Sequence, residues 1–426
     1  MFFLTKTMSL DDLGRLAGNI NNDMPHWKYM KREIGAATQV MFGLVDVSKP
    51  PKRNGLRKCS RIGFDGYCGA GLFGRGIEES TIRGVEETAT FNIKYAVEKE
   101  IDPVRSYANI HDAEIISSLI DDHDDDGKDN DNDKKWTIKF SKKNKTIFRA
   151  TMRNFLLKVE TDKGFRDALV HIDFAILSPP CQGFSKMNRF KGGNALGNNE
   201  ESKLILKVAK LWGPKIIVFE NVFGLWERKH IEEYLQPISY GLIDMDYNVQ
   251  VWKLNAMDFG DAQNRRRLFI IASSKNVGVP DIPKPTHCHL TSKKVFGGVA
   301  CNRNNKLTPY VTVRDLLINE ENNFPEESKP LNDDNGELKT FSDRPCKTVL
   351  ASKSYIHYCK NRKYSLHENA LLMGQERAFV EKLIGKDDVS KQRMIGNGVP
   401  MGMSKAIGSA IYNVLKFNWE GEELMQ

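Results

Sequence analysis

From Gly63 onward, short apolar runs alternate with amphipathic stretches. IDFAILS (172–178), KIIVFEN (215–221) and LFIIAS (268–273) have the length and apolar density of buried strands. Between the first two lies LILKVAKLW (204–212), whose apolar residues recur at helical spacing. KYAVEKEID (94–102) reads as a further strand ending in Glu98 and Glu100. Strands alternating with helices predict an α/β fold with a parallel sheet covered on both faces. Ligands of such sheets bind at the carboxyl ends of the strands. Polar residues at those ends are therefore the first candidates for chemistry.

The pattern breaks in two places. Residues 121–133, DDHDDDGKDNDND, hold no apolar anchor and predict a disordered surface insertion within 117–145. Residues 1–60 form an N-terminal extension ending in SKPPKRNGLRKCS, whose Pro, Gly and basic residues read as a connector into the first core strand. The chain's 426 residues suffice for one large α/β domain and a smaller part. Its net charge of +8 understates the basic character, because the acidic run carries seven negative charges and leaves +15 on the remainder. A polyanionic partner is expected on that account. Seven cysteines without regular spacing fit a reducing compartment. No apolar stretch reaches the roughly 18 residues a membrane helix requires, so no membrane partner is expected.

Three strand ends carry reactive side chains. FDGYCGAGLFGRG (64–76) places several glycines after a strand, where backbone can turn tightly and approach a cofactor at a helix N-terminus. SPPCQGFSKMNRF (178–190) follows IDFAILS, and its two prolines set Cys181 at the mouth of the sheet as a candidate nucleophile. Glu220 closes KIIVFEN, and Arg265 and Arg267 lead into LFIIAS. Thiol, carboxylate and guanidinium thus converge on one cleft. His287, Cys288, His289 and Cys301 lack the paired spacing of a structural zinc site, and no metal is expected. Tyr355, His357, Tyr358, Lys360, Arg362 and Lys363 read equally as a phosphate-tracking stretch or as an ordinary mixed turn surface.

These motifs, in this order, resemble the DNA (cytosine-5) methyltransferases over roughly residues 63–415, with the nucleophile segment similar to that of eukaryotic members. The resemblance implies a Rossmann-like S-adenosylmethionine-dependent methyltransferase domain with a small target-recognition domain. It sets Tyr67, Gly69, Ala70, Gly71 and Leu72 against the cofactor, with Glu98 or Glu100 on the ribose and Pro180, Asn397 and Val399 nearby. It makes Cys181 the nucleophile that attacks cytosine C6, Glu220 the group at the Watson–Crick edge, Arg265 the ligand of the base O2, and Arg267 a support for the loop or a phosphate. Gln182, Gly183, Ser185 and Gln263 fall among the substrate-binding positions, and residues 185–199 read as a loop closing over a flipped base.

The resemblance also implies the organisation: extension 1–60, catalytic domain 61–272, recognition region 273–343, and a return to the catalytic domain over 344–426. The recognition region is short, and the acidic insertion obscures the segment from which the family supplies an aspartate to the adenine. Double-stranded DNA is the expected substrate, methylated by a monomer that leaves S-adenosylhomocysteine, with a protein partner for targeting and nuclear residence implied by the eukaryotic likeness. RNA cytosine methylation is the nearest alternative, disfavoured because no CFT signature occurs. A silent nucleic-acid-binding regulator of the same fold is the other, opposed by the retained Cys181, Glu220 and Arg265.

Overall fold

The computed structural model describes residues 60–80, 90–117, 144–181, 184, 200–289, 307–317, 342–358 and 362–419, with strand segments at 7–8, 29–34, 37–42 and 53–56. The acidic run, Gln182, Gly183, Ser185, the 185–199 loop and Cys301 lie outside these residues. Among the described residues one sheet of eleven strands organises the molecule. In chain order they are β1 Thr7–Met8, β2 Tyr29–Ile34, β3 Ala37–Phe42, β4 Arg61–Gly66, β5 Phe91–Glu98, β6 Ala113–Ile116, β7 Lys145–Arg149, β8 Phe174–Leu177, β9 Ile216–Val222, β10 Tyr247–Asn255 and β11 Arg266–Ser274. Their spatial order is β1-β2-β3-β10-β11-β9-β8-β4-β5-β7-β6.

The six strands from β9 to β6 run parallel. The order reverses between β4 and β8, and the crevice beyond such a reversal is where α/β sheets bind ligands. The expectation of a parallel sheet needs correction on its other side. β11 is antiparallel to both β9 and β10, and β3, β2 and β1 continue antiparallel from there. The connection from β10 to β11 is too short for a helical crossover, so the chain must turn back. The N-terminal extension supplies β1 to β3 and is thus part of the sheet.

Helices cover both faces. Met152–Thr161 (α3), Leu204–Trp212 (α4) and Gln236–Asp244 (α5) bury Phe155, Val208 and Leu242 against one face. Leu72–Glu79 (α1) and Met401–Leu415 (α7) bury Ile77, Met403 and Ile407 against the other. Ile101–His111 (α2) covers the edge near β6 and β7 through Val104 and Tyr107. β9 is apolar on both faces, with Ile216 to Phe219 at most 1% exposed, the composition a doubly covered strand requires. The core does not stop at the expected boundary of 272, since Val277 and Ile282 pack into it.

The two ends of the core are tied together. Arg61, at the start of β4, donates to Asp173 (2.9 Å) and to the carbonyls of Leu415 (2.6 Å) and Phe417 (2.7 Å) at the end of α7. Burial would raise the Asp173 pKa, but Lys215 and Arg61 hold it below the usual carboxylate range. Beside this, Arg53–Leu56 pairs antiparallel with Phe417–Trp419. Cys288 is disulfide-bonded, a departure from the reduced state expected.

Candidate active site at the ends of the parallel strands

The loop after β4 turns three times through left-handed backbone, at Tyr67 (φ 59°), Gly69 (φ 56°) and Gly71 (φ 80°). Gly71 is required twice over. Its φ disfavours any side chain, and a Cβ there would lie 2.2 Å from the His111 imidazole. Gly69 faces open space, so the backbone here can be approached by a ligand. Ala70 and Leu72 are buried and fix the loop onto the core. Glu98, at the end of β5, accepts N–H bonds from Gly69 (3.1 Å), Lys99 (2.8 Å) and Glu100 (3.0 Å). Burial nonetheless pushes its carboxyl up. Glu100 is 66% exposed beside Lys99, so the alternative left open by the sequence narrows to Glu98 as the acid of the cleft. A glycine loop with a carboxylate at the next strand end fits the ribose and amino-acid portions of a nucleoside cofactor.

One strand spacing away on the other side, Pro179 and Pro180 lead from β8 to Cys181. Asn221, buried at the end of β9, donates to the Pro179 carbonyl (3.5 Å) and accepts from Val222 N–H (2.8 Å), which locks the proline turn to its neighbour. Phe184 is the second hold on the nucleophile segment, buried edge-on against His230 and Tyr234. Its carbonyl runs so close to Gly224 that a Cβ there would be 1.8 Å away. Neither Phe184 nor Gly224 stands out in sequence, because their approach joins two segments forty residues apart and leaves no local pattern.

Glu220 and Arg267 form an ion pair of 2.9 Å beside Cys181. Register explains it: Val222 lies opposite Arg267 and Phe269 opposite Glu220, so the pair is a diagonal neighbour across antiparallel strands. Burial raises the Glu220 pKa in spite of Arg267 and Arg265. Burial likewise raises the Cys181 thiol, with Arg267 opposing it and Glu220 adding to it. Burial thus shifts both groups toward their protonated forms, while Arg267 opposes the shift at each.

The sequence reading of the two arginines reverses. Arg265 is 1% exposed and donates to the carbonyls of Val349, Gly396 and Gly398, each at 2.8 Å. Its terminal nitrogens are turned to the returning chain, and Arg267 is the guanidinium that acts more strongly on the thiol. Gln263 is corrected in the same way. It is fully buried, donating to Leu372 (2.7 Å) and accepting from Val349 N–H (3.2 Å), so it holds the framework and not the substrate. Asn397 is exposed at the end of Asp388–Asn397 (α6), and Val399 is buried. Gly398 between them lies against Leu72, which brings this closing motif beside the glycine loop. Of the stretch from 355 to 363, His357 and Tyr358 are buried, Arg362 is held by Glu368 at 2.7 and 2.8 Å, and Lys360 lies outside the described residues.

Comparison with known proteins converges on one chemistry. A family model described as C-5 cytosine-specific DNA methylase matches residues 129–413. The type II methyltransferase M1.HphI of Haemophilus parahaemolyticus is 29% identical over 273 residues, covering 58% of this chain and 69% of that protein. DNA (cytosine-5)-methyltransferase 3 of Arabidopsis thaliana is 34% identical over 117 residues, 27% of this chain but 8% of the plant protein. The chain thus matches most of the bacterial relative's length and a small part of the plant one's. A solved structure from E. coli, described as a candidate prophage-encoded DNA modification methyltransferase, superposes with a TM-score of 0.55 at 18% identity, covering 83% of this chain and 99% of that one. At that identity it bears on the fold alone.

Proposed function

The chain belongs to the family of C-5 cytosine-specific DNA methylases, and from that premise we propose that it methylates C5 of cytosine in double-stranded DNA through a covalent bond from Cys181 to C6. The observation that carries this reading is the Glu220–Arg267 pair beside a free thiol at the ends of β8, β9 and β11. S-adenosylmethionine, when bound, supplies an electrophilic sulfonium methyl group. The loop from Tyr67 to Leu72 would hold its amino-acid portion, and Glu98 its ribose. The open face of Gly69 supports that placement.

Cytosine C5 is a poor nucleophile until C6 is attacked. As the Cys181 sulfur bonds to C6, its thiol proton passes to water and the ring electrons shift to N3. Glu220, whose raised pKa favours the protonated form, donates a proton there. The ring is then an enamine, nucleophilic at C5. Arg267, paired with Glu220, would stabilise that carboxylate once it is ionised and donate to the base O2. After methylation, water takes the C5 proton, the C5–C6 double bond re-forms as Cys181 departs as thiolate, and the N3 proton returns to Glu220. C6 is inaccessible within a duplex, so the target nucleotide must leave the stack.

A duplex carrying 5-fluorocytosine tests the mechanism, because fluorine occupies the site of the proton that must depart. With S-adenosylmethionine present, the protein is expected to stay on the DNA through denaturing electrophoresis, and Cys181→Ser to lose the band while still binding S-adenosylhomocysteine. An adduct mapping to another residue would overturn the assignment, as would labelling confined to RNA in a parallel assay.

A further inference from the structure

We propose that Glu201 is a further cofactor-binding residue, whose carboxylate accepts the exocyclic amine of the adenine while Arg153 beside it donates to the ring nitrogen N1. The proposal rests on the S-adenosylmethionine reading above and extends it to the base. A nucleoside whose amino-acid end lies at the glycine loop after β4 and whose ribose meets Glu98 at β5 continues outward, one strand spacing of about 4.8 Å, to the end of β7. The chain leaving β7, Arg149 to Met152, offers no carboxylate, and the Thr151 hydroxyl is occupied in capping α3 through Asn154 N–H (3.1 Å).

Glu201 is brought to that place by two partners. Tyr67, from the glycine loop, donates its hydroxyl to Oε2 (2.9 Å), and Arg153, in the first turn of α3, donates to Oε1 (3.2 Å). A carboxylate has about four lone-pair positions, and these bonds use two. The side chain keeps 19% of its surface exposed and Arg153 keeps 60%, so both can take a ligand. Acceptor beside donor is the complement of the adenine edge, where the amine donates and N1 accepts. The methionine ammonium is a poorer occupant, since Arg153 would repel it.

The test compares S-adenosylhomocysteine with its inosine analogue by calorimetry. Hypoxanthine replaces the amine with a carbonyl and protonates N1, inverting both contacts. The folded wild type is expected to favour the adenine ligand by about tenfold or more, the effect of losing a charge-assisted hydrogen bond. Glu201→Ala should weaken S-adenosylhomocysteine by a similar factor and leave the analogue unchanged or tighter. Glu201→Gln, nearly isosteric, should reduce the preference with the fold retained, and it decides the matter if the alanine variant melts early. Undiminished discrimination in folded variants would overturn the role of Glu201 while leaving the cofactor reading standing. A folded wild type that binds neither ligand would overturn both.

Discussion

Arg265 and Arg267 sit two positions apart, and their neighbours give them opposite fates. Arg267→Ala is expected to lower single-turnover methylation by about 2–4 kcal/mol of barrier, the scale of one lost electrostatic contact in a closed site. Its melting temperature should fall less than that of Arg265→Ala, because burial already favours the protonated Glu220 and the carboxyl can take up a proton once its partner is gone. Arg265→Ala should instead destabilise the fold by about 3 kcal/mol or more, because three carbonyls lose their donor together. Thermal melting beside a single-turnover assay separates the two; equal effects on both readouts would refute the division. Asp258 provides a pH test. Burial lifts its pKa to about 6, although the Tyr310 hydroxyl donates to it at 2.7 Å. The folded state then holds this proton more tightly than the unfolded chain, whose pKa is about 3.9. The stability it lends is complete below about pH 4 and is lost as pH rises through about 6, on the order of 3 kcal/mol in all. Asp261, lifted to about 7, acts in the same direction. Asp258→Asn keeps an acceptor for Tyr310 and should flatten the decline between pH 4.5 and 7.5 in chemical denaturation; an unchanged slope would count against it.

At the level of elements, the turns carry more of the site than the strands do. Gly224→Ala would drive a methyl group into the Phe184 carbonyl and shift the segment holding Cys181. It is expected to cut turnover at least tenfold, the scale on which catalysis punishes misplacement, while S-adenosylhomocysteine affinity stays near wild type. Gly71→Ala should do the reverse, weakening the cofactor first, because the glycine loop must move away from His111. Parallel calorimetry and turnover measurements on the two variants would expose any exchange of these outcomes. β8, β9 and β11 could be read from sequence because a strand covered on both faces leaves an unbroken apolar run. The positions of Cys181 and Glu220 could be read because each terminates such a run. The guanidinium roles could not, since the direction of Arg265 depends on carbonyls of Val349, Gly396 and Gly398, far along the chain. The antiparallel β11 was hidden for a related reason: periodicity reports burial and carries no strand direction.

For the molecule as a whole, the extension is structural. Removing residues 1–42 takes β3 from the outer side of β10 and leaves a row of unpaired backbone groups on an apolar strand. Such a variant is expected to self-associate, as light scattering after gel filtration would reveal; a monodisperse monomer would refute this. Arg265 has a consequence of another kind. Its guanidinium is buried just ahead of β11, and two of its three carbonyl partners belong to Gly396 and Gly398. Until Gly396 and Gly398 have been added to a growing chain, that charge lacks two of its three carbonyl partners, and a buried ion without its partners costs about 3–5 kcal/mol. Every component of the candidate cleft from Tyr67 to Arg267 is by then already synthesised, yet the cleft cannot settle. A chain truncated before Gly396 therefore holds the residues of the cleft without the contacts that fix them, and it is expected to lose both S-adenosylhomocysteine binding and turnover.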